Sequence, residues 1–215
     1  RRMGPILVDT PPYPEILYET KDYTGFAALY GETITVTEPG NIWDRVLLEY
    51  CRGERRQPPW GISTADFHKD GGDGEKLGNF PTLFLVQKKT KENILLAMKH
   101  GRMYAYSGNY PQQIVLNDFS VHSSESRINA ISGGEIKLNE HPKIHIFLSS
   151  KMPTKNRLSV KLIRCGKVIE TFDGLLPMQI DYEDEYLKSD QKIYYRIDVR
   201  GCGTLISNPI FVVFE

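Results

Sequence analysis

Two side chains in one short stretch have the types and the spacing to share a cation. In Trp60-Gly61-Ile62-Ser63-Thr64-Ala65-Asp66-Phe67-His68, the Asp66 carboxylate and the His68 imidazole stand at positions i and i+2. In extended backbone such positions project to the same side. A divalent metal is the natural target, because carboxylate oxygen and imidazole nitrogen are hard and borderline donors. The alternative is a polar loop in which Asp66 caps the backbone and His68 is solvated.

The remaining chemistry-bearing residues point less clearly. Cys51, Cys165 and Cys202 are too widely and irregularly spaced for a disulfide framework or a zinc knuckle. Free thiols of a reducing compartment are expected, with a Cys165–Cys202 bridge as the other possibility. His122, His141 and His145 match no metal-ligand spacing and read as structural or exposed. Arg52, Arg55 and Arg56 read as a solvated face. The run Lys69-Asp70-Gly71-Gly72-Asp73-Gly74-Glu75-Lys76-Leu77-Gly78-Asn79 fails the P-loop spacing and reads as a loop beside the strand end.

The Asp66/His68 pair needs a strand beneath it, and Gly61 to Ala65 reads as one, short and buried, between Pro58-Pro59 and the glycine-rich run. Before it, Asn41 suits the N-cap of a helix from Ile42 to about Arg52, with Trp43, Val46, Leu47 and Tyr50 on one apolar face. Asp44 falls in that helix's first turn, where a carboxylate complements the dipole. Gly4 to Val8 is a short apolar run stopped by prolines, and Ile16 to Tyr18 suits a strand or a turn of helix. Lys21 to Gly31 suits a short helix closed by glycine, and Thr33 to Thr37 a strand or extended loop. Thr82 to Val86 reads as a strand buried on both faces. Thr90 caps a predicted helix from Lys91 to His100 with Ile94, Leu95 and Met98 on its apolar face, and Met103 to Tyr106 is a further strand. This grammar predicts helices on a mostly parallel sheet.

After Pro111 the grammar changes. Short alternating runs recur at 114–121, 143–148, 158–163, 168–172, 178–182, 193–199 and 210–214, with turn signals such as Cys165-Gly166-Lys167 between them. That spacing predicts an antiparallel β-sandwich of immunoglobulin-like type.

Composition narrows the function classes. The 215 residues carry 27 basic and 27 acidic side chains, a formal net charge of zero, which argues against a general electrostatic binder of nucleic acid or anionic membrane. Hydrophobic content of 40% supports an ordinary packed core, and no apolar run approaches the ~20 residues that span a bilayer. The chain opens on Arg1-Arg2-Met3, as expected of a fragment or processed product.

Several segments together resemble one family. Ile62 to His68 resembles the last Asp-x-His metal-ligand motif of the polymerase-and-histidinol-phosphatase (PHP) phosphoesterases. Pro39-Gly40-Asn41-Ile42-Trp43-Asp44 resembles the helix that precedes it in some members. Thr90 to Arg102 resembles the following segment, and Ser207-Asn208-Pro209-Ile210 the ending of members with an extra C-terminal β domain. The resemblance implies an α+β chain: residues 1–110 as the C-terminal portion of a distorted (β/α) barrel, and 111–215 as the added sandwich. It also implies divalent ions (Zn, Mn or Fe) that activate water for hydrolysis of a small phosphorylated substrate. Asp66 and His68 would be ligands at the end of the last barrel strand, and Arg102 would neutralise phosphate charge or be a plain surface residue. The family's early His-x-His motif does not occur in this sequence. The expectation is therefore a C-terminal fragment, inactive by itself, of a metal-dependent phosphoesterase. The alternative is a non-enzymatic module whose sandwich engages a protein or carbohydrate. Thiol titration of the denatured, unreduced chain should count all three cysteines; a count of one would establish a disulfide.

Overall fold

The computed structural model describes residues 2–3, 6–7, 13–30, 36–65, 67–69, 78–108, 114–123, 128–152, 157–186, 188 and 190–215. The elements run β1 (Arg2–Met3), β2 (Ile6–Leu7), α1 (Ile16–Glu19), β3 (Gly25–Tyr30), α2 (Ile42–Cys51), β4 (Trp60–Thr64), β5 (Thr82–Phe84), α3 (Lys91–Lys99) and β6 (Met103–Ser107). They continue with β7 (Ile114–His122), β8 (Asn129–Ile131), β9 (Glu135–Leu138), β10 (Lys143–Ser150), β11 (Arg157–Arg164), β12 (Lys167–Leu175), β13 (Met178–Glu183), β14 (Lys192–Arg200), β15 (Thr204–Ser207) and β16 (Ile210–Phe214).

The chain is built mainly of strands. One sheet has the order β13-β10-β7-β8, and a second runs β12-β11-β14-β15-β6-β5, with β16 and β9 attached beside β14. Alternating residues of both sheets, among them Leu116, Phe119, Val121, Ile144, Ile146 and Leu148 from the first and Val160, Leu162, Ile197, Val199 and Val212 from the second, share one core. Two sheets with one core between them make a β-sandwich in the loose sense. The hairpin β11–β12 turns through Cys165 and Gly166, with φ of +49° and +80°. Two successive positive φ values suit the right-handed twist of the strands they join.

The barrel portion expected for residues 1–110 is not found. Among the described residues there are three short helices, and the only parallel pair in that region is β3 with β4, joined through α2. β5 and β6 pair antiparallel to each other, and β6 continues onto β15 of the large sheet. The α+β reading, barrel end plus immunoglobulin-like sandwich, is thus replaced by a β-rich chain of open sheets. Spacing shows where a strand is, not which edge it joins, and β5 and β6 were assigned to the wrong sheet for that reason. The helix expected over Lys21 to Gly31 is strand β3, drawn into extended form by its pairing with β4. Of the Thr33 to Thr37 run, 33–35 lie outside the described residues, and Val36 and Thr37 are in a turn.

The β3–α2–β4 unit packs on the outer face of the large sheet. Ala28, Leu29, Trp43, Leu47 and Trp60 meet Met103, Ala105, Tyr194, Ile206 and Phe211 in a second core. β14 is therefore covered on both faces: Ile193, Tyr195, Ile197 and Val199 point into the sandwich, and Tyr194, Arg196 and Asp198 on the other side are buried as well. Arg196 is held by α2. Its Nε donates to Asp44 Oδ1 at 2.7 Å and its Nη2 to Asp44 Oδ2 at 2.6 Å and to the Thr37 carbonyl at 3.0 Å. Tyr194 Oη donates to Asp44 Oδ1 at 2.7 Å, and the Gly40 amide donates to Oδ2 at 2.7 Å. Asp44 is therefore the acceptor that fastens α2 to the sheet, and its place in the first turn is incidental to that role.

Removing one member of a fully desolvated ion pair strands the other. Asp44→Ala should cost about 3–5 kcal/mol in urea unfolding by that argument. Asp44→Leu combined with Arg196→Met should be less destabilised than Asp44→Ala alone; equal or greater loss in the double variant would show that the charge of Arg196 is not what matters.

Candidate functional site

In sequence the Asp66/His68 motif follows β4, and side chains fix that strand where strand pairing stops. On one side it pairs with β3 from Gly25↔Trp60 to Tyr30↔Thr64. Its other contacts come from side chains. The Gly61 amide donates to Asn208 Oδ1 at 2.7 Å, and Asn208 Nδ2 donates to the Gly61 and Met103 carbonyls at 3.2 and 3.0 Å. The Ser63 amide donates to Thr82 Oγ1 at 3.0 Å, and Ser63 Oγ donates to the Tyr106 carbonyl at 2.9 Å. A buried strand must satisfy its amides and carbonyls, and here buried polar side chains stand in for a neighbouring strand.

Two tryptophans frame the strand. Trp43 Nε1 donates to the Pro59 carbonyl at 3.1 Å and Trp60 Nε1 to the Lys99 carbonyl at 3.0 Å, so the start of β4 is tied to both α2 and the end of α3. Gly101 follows α3 at φ +67°, and a Cβ there would overlap the Trp60 ring. Glycine at that place serves both the helix C-terminus and the close approach of the indole.

β4 ends at Thr64. Asp66 lies outside the described residues; Phe67 and His68 follow at the surface, both exposed. Among the described residues no group of three His, Cys, Asp or Glu is arranged to hold a metal ion. Catalytic zinc keeps three protein ligands, so the donors described in this chain fall short of a set. Arg102 lies elsewhere, on the wall of a cleft of about 520 Å³ between α3 and β7, together with Leu85, Leu96, Asp118 and Phe119. His68 is not among its lining residues, and the Asp118 carboxylate there opposes a phosphate.

Other expectations are corrected by packing. Arg55, read as solvated, is buried, with Nη2 donating to Glu49 Oε2 at 3.0 Å and Nη1 to the Thr20 carbonyl at 2.9 Å. The apolar face of α3 is not buried: Leu95 is 54% and Met98 47% exposed, and only Ala97 is covered. The three cysteines are unbridged thiols, each half-buried. Burial pushes the Cys51 thiol up to about 12 and raises that of Cys165, which disfavours the thiolate form of both.

Sequence spacing set His122 and His145 aside, yet the fold brings them together on the outer face of the four-stranded sheet, with ring centroids 6.5 Å apart. The alternation in β7 and β10 places both outward, but their meeting depends on a register that single-strand patterns do not encode.

No family model matches the sequence, and none of the curated proteins matches it.

Asn208→Ala would leave the Gly61 amide and two carbonyls without partners. By the cost of stranding buried polar groups, it should destabilise the chain by about 2–3 kcal/mol. Amide exchange at Gly61 should accelerate; unchanged protection there would place the anchor of β4 elsewhere.

Proposed function

We propose that this chain is the C-terminal portion of a metal-dependent phosphoesterase acting on a small phosphorylated substrate, and that Asp66 and His68 donate two of the metal's ligands. The observation that carries the reading is the position of the motif. β3 and β4 run parallel with α2 between them, and Ala65-Asp66-Phe67-His68 begins where β4 ends. Ligands of parallel α/β units gather outside the carboxyl ends of the strands, where backbone polar groups and loop side chains converge. The anchoring of β4 by Asn208 and Ser63 supports the same reading, since a ligand pair needs a rigid base. The further ligands belong to the parent protein in this proposal. In the proposal this chain's part is to supply the Asp66 carboxylate and the His68 imidazole.

The test uses the intact parent. Asp66→Ala and His68→Ala should each lower metal content and reduce aryl phosphate hydrolysis by at least ~10–100-fold, the loss typical even of a group that only supports a ligand. The 215-residue chain with added Mn²⁺ or Zn²⁺ should show no detectable hydrolysis. Full metal content and activity in both parent variants would overturn the reading and leave the β-rich portion as a module for a protein or carbohydrate partner.

A further inference from the structure

The outer face of the four-stranded sheet carries a second group of ligating side chains, unrelated to Asp66 and His68. Register sets it out. His145 on β10 lies opposite Ser120 of β7 on one side and Asp181 of β13 on the other, while His122 lies opposite Lys143. All these positions alternate with core residues such as Val121, Ile144, Ile146 and Ile180, so they share the outer face. His122, Lys143, His145 and Asp181 line a cleft of about 510 Å³ together with Asp118 and Glu183.

Each ring has one nitrogen in a hydrogen bond to a neighbouring side chain. His145 Nδ1 is 2.6 Å from Asp181 Oδ1, and Asp181 Oδ2 in turn accepts from Gln179 Nε2 at 3.1 Å. His122 Nε2 is 2.8 Å from Ser120 Oγ, and Ser120 is buried. A histidine that donates one N–H to an oxygen has its tautomer fixed, and its other nitrogen carries a lone pair. The Asp181 carboxylate can only accept, so His145 donates through Nδ1 and its lone pair falls on Nε2. The Ser120 hydroxyl can donate or accept, and where it accepts from Nε2 the lone pair of His122 falls on Nδ1. Carboxylate-bound histidine is the usual outer arrangement around a metal-binding imidazole, because it orients the ring and raises its basicity.

The separation is slightly wider than one ion bridges as the rings stand. With a metal–nitrogen distance of ~2.0–2.1 Å, two imidazoles on one ion have centroids no more than about 6.4 Å apart. That limit holds only with the two nitrogens on opposite sides of the ion; at a tetrahedral angle the centroids stand about 5.2 Å apart. From the observed 6.5 Å, with the rings at 78°, the two partly exposed side chains must turn toward each other to share an ion. The local charge also favours a cation: Asp118, Asp181 and Glu183 stand around the cleft against Lys143 alone among its lysines and arginines.

We propose that His122 and His145 form a two-imidazole site for a borderline divalent transition ion, positioned by Ser120 and Asp181, with water completing the coordination. Imidazole donors select zinc, copper, nickel or iron over magnesium and calcium. The site is separate from the Asp66/His68 motif and does not depend on it.

Ni²⁺ titrated into the untagged 215-residue chain tests this by calorimetry and by ¹H–¹⁵N spectra. Saturation near one equivalent is expected, with paramagnetic broadening centred on β7, β10 and β13. His122→Ala or His145→Ala should weaken that event at least tenfold. Asp181→Asn should weaken it about 10–100-fold, as expected for a ligand-orienting partner. His68→Ala should leave it unchanged, which separates this site from the proposed phosphoesterase ligands. The broadening map of the unmodified chain reads the site even if a variant folds poorly. Absence of binding, binding that survives loss of both histidines, or broadening centred on residues 67–69 would overturn the proposal.

Discussion

The structure depends on one buried charge pair. Asp44 and Arg196 are 1% and 0% exposed, and they join the first turn of α2 to the middle of β14. Burying two charges is costly unless each is fully engaged. Here the carboxylate accepts from Arg196, Tyr194 and the Gly40 amide, and the guanidinium lies over the Trp43 ring at 5.1 Å, while Arg196 Nη1 is buried with no hydrogen-bond partner among the described residues. The pair does not add much net stability by itself. Its effect is to fix where α2 can dock, since any other register of helix on sheet would leave two charges desolvated and unmatched.

That docking then places β4. With α2 held at Asp44, Trp43 reaches the Pro59 carbonyl and packs edge-on against Phe26 of β3 at 5.4 Å. Asn208, between β15 and β16, closes the other side of β4 through Gly61. β4 is thus held by residues far away in sequence, and its position follows from the large sheet more than from its own neighbours.

How much of this could be read from the sequence differs by element. α2 and α3 were legible because their caps are local: Asn41 accepts from the Ile42 amide and Thr90 from the Asn93 amide. The later strands were legible through their alternation. β8, β9 and β15 were missed, being only three or four residues long. The burial of the outward face of β14 was not legible, because Tyr194, Arg196 and Asp198 alternate with apolar residues and the layer that covers them comes from far away in sequence. Asp66 and His68 could be singled out by type and spacing, whereas the pairing of His122 with His145 required strand register. A period of two reports which face a residue takes; it carries no information about the neighbour it meets there.

The large sheet interleaves distant parts of the chain, with Ile206 beside Ala105 and Leu205 beside Tyr106. β14, its central strand, is completed by β15 and β16. During synthesis, α2 emerges long before Arg196, and β4 long before Asn208. Neither can reach its final seat until residues 194–211 have left the ribosome. Loop closure over such spans is slow, because its entropy cost precedes any contact that offsets it. The early tryptophans, prolines and apolar strands therefore pass through a period without their covering sheet, in which a nascent chain is most open to chaperones and to aggregation.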